Sequence, residues 1–207
     1  MKNNRKQDGF FKQVFTALKN GSAITKLSVF IPGAGQLLRK QMGKGLAYLF
    51  AFLLFNVFMA TVGFRYVAQL FSGSLGTKIS GEIWNEQLQI FEKVSGDNSF
   101  LILLYGVACL LLVAAYNLLW AMNVKGCLDD DKRVKEGLPL TTFREDIASL
   151  FNDRFYALLL ILPFIGLLVF TMLPLLFMVL IAFTNYDYLH QPPGKLFNWV
   201  GFENFKT

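Results

Sequence analysis

Three groups of residues in this sequence have types and spacings that could do chemistry. Residues 32–36 form a glycine-rich turn, PGAGQ, which lacks both the spacing of a phosphate-binding P-loop and its Gly-Lys-Ser/Thr ending. Residues 129–131 are three adjacent aspartates, without the alternating oxygen positions, turn glycine and closing glutamate of an EF-hand. We therefore predict neither a nucleotide site nor a calcium site, and we interpret residues 129–137 as solvent-exposed.

The third group consists of the single histidine and the two cysteines. His190 stands beside a Gln-Pro-Pro sequence, which is typical of a loop residue rather than a metal ligand or a catalytic base. Cys109 lies in an apolar run and Cys127 in a charged connection, and neither has the CxxC or Cys/His spacing of a zinc site. We predict no catalytic, cofactor-binding or metal-binding residues, no cofactor and no enzymatic activity. Substrate-binding residues cannot be assigned from these patterns.

The composition indicates that the elements around these residues lie in a membrane. Of 207 residues, 54% are hydrophobic and 16% are charged, and the mean hydropathy is +0.44. Such values are typical of an integral membrane protein whose partner is the lipid bilayer. The net charge of +6 then indicates membrane topology rather than nucleic-acid binding.

Three uncharged runs are long enough to cross the bilayer as helices. They occupy residues 46–64, 100–124 and 155–183. We assign residues 46–124 to two transmembrane helices joined by an outer loop at 65–99, and residues 155–184 to a third helix, which Pro163 and Pro174 are expected to kink. The predicted fold is an all-α integral membrane protein with three transmembrane helices and cytoplasmic amphipathic surface helices.

Shorter amphipathic patterns predict the surface helices. Residues 9–20 carry an apolar stripe flanked by lysines, which favours a helix on the membrane surface or against the protein's own cytoplasmic side. Residues 22–45 are too short to span, because the PGAG turn interrupts them. Residues 80–94 predict a short outer helix with Trp84 as an interface anchor and Glu82, Glu86 and Glu92 on its solvated face. Thr142 and Glu145 form a capping box that opens a further helix.

The distribution of basic residues sets the expected orientation. Fifteen of the 20 lysines and arginines lie in residues 1–45 and 125–154. Because basic residues are retained on the cytoplasmic side, we predict that the N-terminus is cytoplasmic. Residues 1–45 are then a basic interfacial segment, 125–154 a cytoplasmic loop with a surface helix, and 185–207 an extracellular segment.

Several motifs resemble those of the membrane-spanning permease subunits of bacterial carbohydrate ABC importers, in particular the maltose/maltodextrin (MalF-type) subunit. Near the N-terminus, PGAGQLLRKQMGKGLAYLF at residues 32–50 is similar to the family's G-x-G-Q…KG-L sequence. The third predicted span contains the matching Leu173-Pro174-Leu175. After it come FTNYD at 183–187, Pro192-Pro193, and WVGFENF at 199–205, which matches W-x-G-x-x-N-F.

The resemblance implies a sugar importer in a bacterial plasma membrane, with a second permease subunit, cytoplasmic ATPase subunits and an extracellular solute-binding protein as partners. The third span would begin the permease core. The family's EAA coupling loop does not occur in residues 1–207, so these residues are expected to be an N-terminal portion that does not transport alone. Two alternatives remain: a small three-span structural or interaction protein, and a permease for another solute, such as a different oligosaccharide or glycerol phosphate.

Overall fold

Three helices of the protein are long and apolar enough to cross a membrane. The computed structural model describes residues 10–152, 155–192 and 194–206; residues 1–9, Asp153, Arg154, Pro193 and Thr207 lie outside the described residues. The three helices are Met42–Phe71, Ser99–Lys135 and Leu159–Ile181, with 30, 37 and 23 residues. Each exceeds the roughly 20 residues that a membrane-spanning helix needs. The all-α class with three transmembrane helices is confirmed.

Contacts divide the chain into two compact units, which we describe separately. The first unit comprises Met1–Val57 and Val113–Leu160, and the second comprises Phe58–Leu112 and Ile161–Thr207.

The first unit contains a run of short helices that precedes the first long helix. These are α1 (Phe10–Asn20), α2 (Ala23–Phe30) and α3 (Ala34–Leu38), followed by α4 (Met42–Phe58). The same unit contains the later part of α6 (Ser99–Lys135), all of α7 (Phe143–Phe151) and the start of α8 (Phe155–Leu167). Its small apolar core joins Ala17 of α1, Val29 of α2 and Val124 of α6.

The predicted helix ends are confirmed where local side chains determine them. Thr142 accepts a hydrogen bond from the backbone NH of Glu145, whose carboxylate accepts one from the NH of Thr142, so α7 begins with the predicted capping box. Helix α1 also forms as predicted. It buries Ala17 but leaves Phe15 65% exposed, so part of its apolar stripe packs on the protein and part remains uncovered.

In the second unit, the first and third long helices each include a π-helical turn. Met59–Gly63 separates α4 from α5 (Phe64–Phe71), and Leu168–Met172 separates α8 from α9 (Leu173–Ile181). The second π turn lies next to Pro174, which has no NH to donate within the helix, so the change in hydrogen-bond register has a direct chemical cause. The core of this unit consists of Leu70, Leu75, Ile102, Leu103 and Phe197.

The helix predicted for residues 80–94 is wrong, because this segment forms a β-hairpin. Strands β1 (Gly81–Asn85) and β2 (Ile90–Val94) pair antiparallel, and Trp84 opposes Phe91. The Asn85 carboxamide oxygen accepts hydrogen bonds from the NH groups of Gln87 and Leu88, and this turn reverses the chain. The helix was predicted from apolar residues spaced four apart, such as Trp84 and Leu88. The turn reverses the chain between them, so this spacing does not correspond to one face of a helix.

The predicted loop after the second span is also wrong in its first part. Helix α6 continues eleven residues past Val124 to Lys135. It therefore contains Cys127, which is fully buried rather than placed in a loop, as well as the three aspartates. Asp130 and Asp131 are 7% and 8% exposed, so the expectation that residues 129–137 are solvent-exposed fails for these two carboxylates.

Candidate functional site

The two motifs that follow the third long helix fold against each other. We call residues 183–187 and 197–205, with the groups they contact, the motif junction. Thr184 and Trp199 form a single antiparallel bridge. Next to it, the NH of Asn185 donates to the Asn198 carbonyl at 3.0 Å, and the NH of Asn198 donates to the Asn185 side-chain oxygen at 2.6 Å. The FTNYD and WVGFENF sequences are therefore the two sides of one small structure.

Side chains of the junction satisfy carbonyl groups at the ends of two long helices. The Asn204 amide donates to the carbonyl of Ala182 at 2.9 Å and to that of Thr184 at 2.7 Å, just past the end of α9. The Trp199 indole NH donates to the carbonyl of Leu70 at 2.9 Å, in the last turn of α5. Carbonyls in a last helical turn lack an intrahelical donor, so both side chains act as caps for these helices.

The junction encloses an aromatic core. Phe197 is fully buried, and its NH donates to the Ser99 hydroxyl at 3.2 Å. The ring of Phe100 makes edge contacts with those of Phe197 and Tyr186, at centroid distances of 5.0 and 4.8 Å. The aromatic residues that the sequence places after the third span thus stabilise the fold of the second unit.

His190 lies in the turn after the junction's first motif. Its Nδ1 is 2.7 Å from the Asp187 carboxylate, and this hydrogen bond is the largest cause of the lowered pKa of Asp187. His190 and Lys195 also border a cavity of about 510 Å³ that Ser74, Thr77 and Asn198 help to line. Within the described residues, no group of three or more His, Cys, Asp or Glu side chains is placed to hold a metal ion.

A second cluster, in the first unit, joins residues that are far apart in the sequence. We call it the buried polar cluster. The guanidinium of Arg39 forms a salt bridge with Asp131, and the two side chains are 6% and 11% exposed. The Asp131 carboxylate also accepts hydrogen bonds from the NH and the hydroxyl of Ser22 and from the hydroxyl of Thr25, at 3.0, 2.7 and 2.7 Å. A buried carboxylate with this many donors is well compensated for its loss of hydration.

Asn123 of α6 connects the same cluster to the glycine-rich turn. Its side-chain oxygen accepts from the NH of Gly33 at 3.2 Å and from the amide of Gln36 at 2.9 Å. Its amide donates to the Ser28 carbonyl at 3.0 Å. Cys127 follows Asn123 by four residues, and Asp130 and Asp131 follow Cys127 by three and four. Residues with this spacing lie on one face of a helix, here α6.

The glycines of the PGAGQ turn are needed for close packing. Gly33 has φ of +89°, and a Cβ there would lie 2.3 Å from the Gly45 carbonyl oxygen. A Cβ at Gly35 would lie 3.0 Å from the sulfur of Cys127. The neighbouring Lys44 contacts Asp146 at 2.5 Å and the Thr141 hydroxyl at 2.6 Å. The N-terminal motif therefore packs the short helices on α6 and α7.

Sequence reasoning identified the residues of the motif junction but not those of the buried polar cluster. The junction motifs were found through family resemblance, and their hydrogen bonds were not foreseen. The sequence pattern places Arg39 in a basic interfacial segment and predicts that the three aspartates are solvated. The spacing of Asn123, Cys127 and Asp131, which places them on one face of a helix, was the available signal.

The long apolar helices define a multi-pass membrane protein. No family model and no solved structure matches the chain. Curated relatives do match. The chain is 31% identical over 176 residues to the maltodextrin transport system permease protein MalC of Streptococcus pneumoniae, covering 84% of this chain and 37% of that protein.

Two Bacillus subtilis proteins match in the same way. The galactooligosaccharides transport system permease protein GanP is 30% identical over 88% of this chain and 40% of its own length. The maltodextrin transport system permease protein MdxF is 29% identical over 84% of this chain and 37% of its own length. The chain thus spans less than half the length of these relatives. Its curated homologues are permease proteins of carbohydrate transport systems, the class of protein that its motifs resemble.

Proposed function

We propose that this chain contributes to the membrane-spanning permease of an ATP-driven sugar importer, with a maltodextrin as the transported sugar. The observation that carries this proposal is the 31% identity to MalC, a maltodextrin permease, over 84% of the chain. The family motifs support it, because in this chain they build specific packed structures at residues 32–45 and 183–205. The chain's part in transport is then to hold long helices in place, whereas ATP hydrolysis belongs to separate subunits.

A second candidate substrate has its own support. GanP, a galactooligosaccharide permease, is 30% identical over 183 residues, nearly the same identity as MalC. Both sugars are neutral and rich in hydroxyl groups, which suits membrane spans without ionised side chains in their apolar centres. We place maltodextrin first because three of the four curated relatives that match are maltodextrin permeases.

The partners follow from this proposal. They are a second permease subunit, cytoplasmic ATPase subunits and an extracellular solute-binding protein, in the plasma membrane of a bacterium. The distribution of basic residues supports a cytoplasmic N-terminus. In that orientation the buried polar cluster is on the cytoplasmic side and the motif junction on the extracellular side.

Uptake by cells tests the function and the substrate together. The native gene is deleted and then restored on a plasmid, and uptake of radiolabelled maltotriose and of a labelled galactooligosaccharide is measured. We expect deletion to abolish maltotriose uptake and the plasmid to restore it. Loss of galactooligosaccharide uptake alone would move the assignment to the second substrate. Unchanged uptake of both sugars would instead favour the structural or interaction protein considered above.

A further inference from the structure

An apolar groove of about 430 Å³ lies in the second unit, between the first and second long helices. Phe58 and Val62 form one wall and Leu112 forms part of the other. The floor is made of the small side chains Ala108 and Cys109, and Cys109 is 5% exposed. The volume is within the range of about 300–1,000 Å³ that is usual for small-molecule sites in proteins.

The groove follows the π-helical turn of the first long helix. Val62 lies within the turn Met59–Gly63, and Phe58 precedes it directly. Single π turns occur frequently at functional sites, because they shift side chains out of the regular helical register. The wall side chains remain accessible, since Phe58 is 38% and Leu112 43% exposed. At this position in two membrane-spanning helices, hydrocarbon is the surrounding solvent.

The end of the groove nearer the end of the first long helix is polar. The rings of Tyr66 and Tyr105 lie side by side there, with their centroids 5.2 Å apart. Neither hydroxyl has a hydrogen-bond partner in the described part of the chain. Arg65, the neighbour of Tyr66, has a side chain that is 69% exposed and lies 3.9 Å from Asp97. Two hydroxyl donors and an exposed cation thus adjoin one end of an apolar slot.

We propose that this groove binds one phospholipid of the surrounding membrane, with an acyl chain in the slot and the phosphate group near Tyr66, Tyr105 and Arg65. The groove is apolar along its walls and has hydroxyl groups and a cation at one end. A phospholipid has the same arrangement, with an apolar acyl chain and a phosphate group at one end. A transmembrane helix of another subunit would match the apolar wall but would leave these polar groups without a partner. The site depends on the membrane location of the chain and not on the sugar that is transported.

Photolabelling in nanodiscs tests the proposal. The protein, purified with whatever subunits accompany it, is placed in phosphatidylcholine nanodiscs that contain a trace of phosphatidylglycerol with a diazirine on its acyl chain. After irradiation, labelled peptides are identified by mass spectrometry. We expect labelling of residues 58–66 and 105–112. Ala108→Phe, which fills the floor, should reduce it about fivefold or more, equivalent to a modest loss of binding free energy.

Ala114→Phe is the matched control, because Ala114 is exposed on the same helix outside the groove. It should leave the labelling unchanged. Arg65→Gln provides a second test that leaves the lining of the groove unchanged: labelling by the phosphatidylglycerol probe should fall relative to labelling by a phosphatidylcholine probe with the same diazirine chain. Equal labelling of the two phenylalanine variants would overturn the proposal. So would the absence of lipid labelling at residues 58–66 and 105–112, which is the result expected if a helix of a neighbouring subunit fills the groove.

Discussion

The side chain of Asn204 connects the two motifs of the junction, since its amide donates to the carbonyls of Ala182 and Thr184. We predict that Asn204→Ala lowers the free energy of unfolding by about 1–3 kcal/mol, because carbonyls at the end of α9 lose their donors. The loss can be measured by chemical denaturation of the purified protein in detergent.

Asn117→Ala is the control for this substitution. The Asn117 amide is exposed, like that of Asn204, and also donates to a carbonyl, that of Val113 at 2.8 Å, but it makes this single bond within its own helix. We expect a much smaller loss of stability. If the two alanine variants were equally stable, the junction would not depend on Asn204.

Asp97 makes the second unit sensitive to acid. Hydrogen bonds from the NH groups of Thr77 and Lys78 are the main cause of the lowered pKa of this carboxyl group. Because its pKa is lower in the folded state, Asp97 stabilises the fold above the ordinary carboxyl pKa of about 3.9, and this contribution is lost as the pH falls through the lowered value.

Thermal unfolding between pH 6 and pH 3 tests this effect. The wild-type protein should lose more stability over that range than Asp97→Asn, which keeps an acceptor oxygen but does not titrate. Identical pH profiles for the two proteins would show that Asp97 is not responsible.

Among the elements, the short N-terminal helices depend most on the ionic contacts of Arg39 with α6, where Asp131 is the nearer partner and Asp130 lies 3.9 Å away. Arg39→Met leaves the buried Asp131 carboxylate without its cation, and breaking one partner of a buried pair costs about 3–5 kcal/mol. We predict that this variant, fused to a fluorescent protein, aggregates at a clearly lower temperature than the wild type when it is heated in detergent and analysed by size-exclusion chromatography.

Two further variants separate charge from general damage. Lys26→Met removes an exposed lysine from α2 and should behave like the wild type. The double variant Arg39→Met/Asp131→Asn should recover part of the lost stability, since the carboxylate that pairs most closely with Arg39 no longer carries a charge. A double variant that is less stable than Arg39→Met alone would contradict the ionic role of this pair.

The elements that sequence predicts well are those that local patterns determine. The three spans follow from uncharged runs longer than a bilayer requires, and α7 follows from Thr142 and Glu145, three residues apart. The hairpin was missed because the Asn85 turn converts an apparent helical stripe into two paired strands. That choice depends on backbone hydrogen bonds between strands, which hydropathy does not encode.

The contacts that sequence could not predict join distant positions. Arg39 and Asp131 are 92 residues apart, and Trp199 and the Leu70 carbonyl are 129 apart. Their pairing depends on how the helices pack. A run of aspartates is therefore predicted to be solvated from sequence alone, because its partner Arg39 is distant in the chain. Family resemblance marked Trp199 and Asn204 as characteristic residues, and only the structure gives them the physical role of capping helix ends.

For the whole molecule, the proposed orientation can be tested with introduced cysteines. Cys127 is a poor reporter because it is fully buried, so both native cysteines are first replaced by alanine. Gln87→Cys in the hairpin turn and Glu136→Cys after α6 are exposed positions. We expect a membrane-impermeant maleimide to label Gln87→Cys in intact cells and Glu136→Cys only after permeabilisation. The reverse pattern would invert the orientation.

ATP-driven sugar transport is the central claim for the molecule, and reconstitution measures it most directly. The protein is tagged at its native gene, purified with its associated subunits and placed in liposomes that contain ATP and magnesium. Labelled maltodextrin and the solute-binding protein are added outside. We expect that the tagged protein brings ATPase subunits with it and that sugar accumulates only with ATP inside. A tagged protein that purifies without an ATPase, from membranes that still import maltodextrin, would contradict a role in ATP-driven sugar transport.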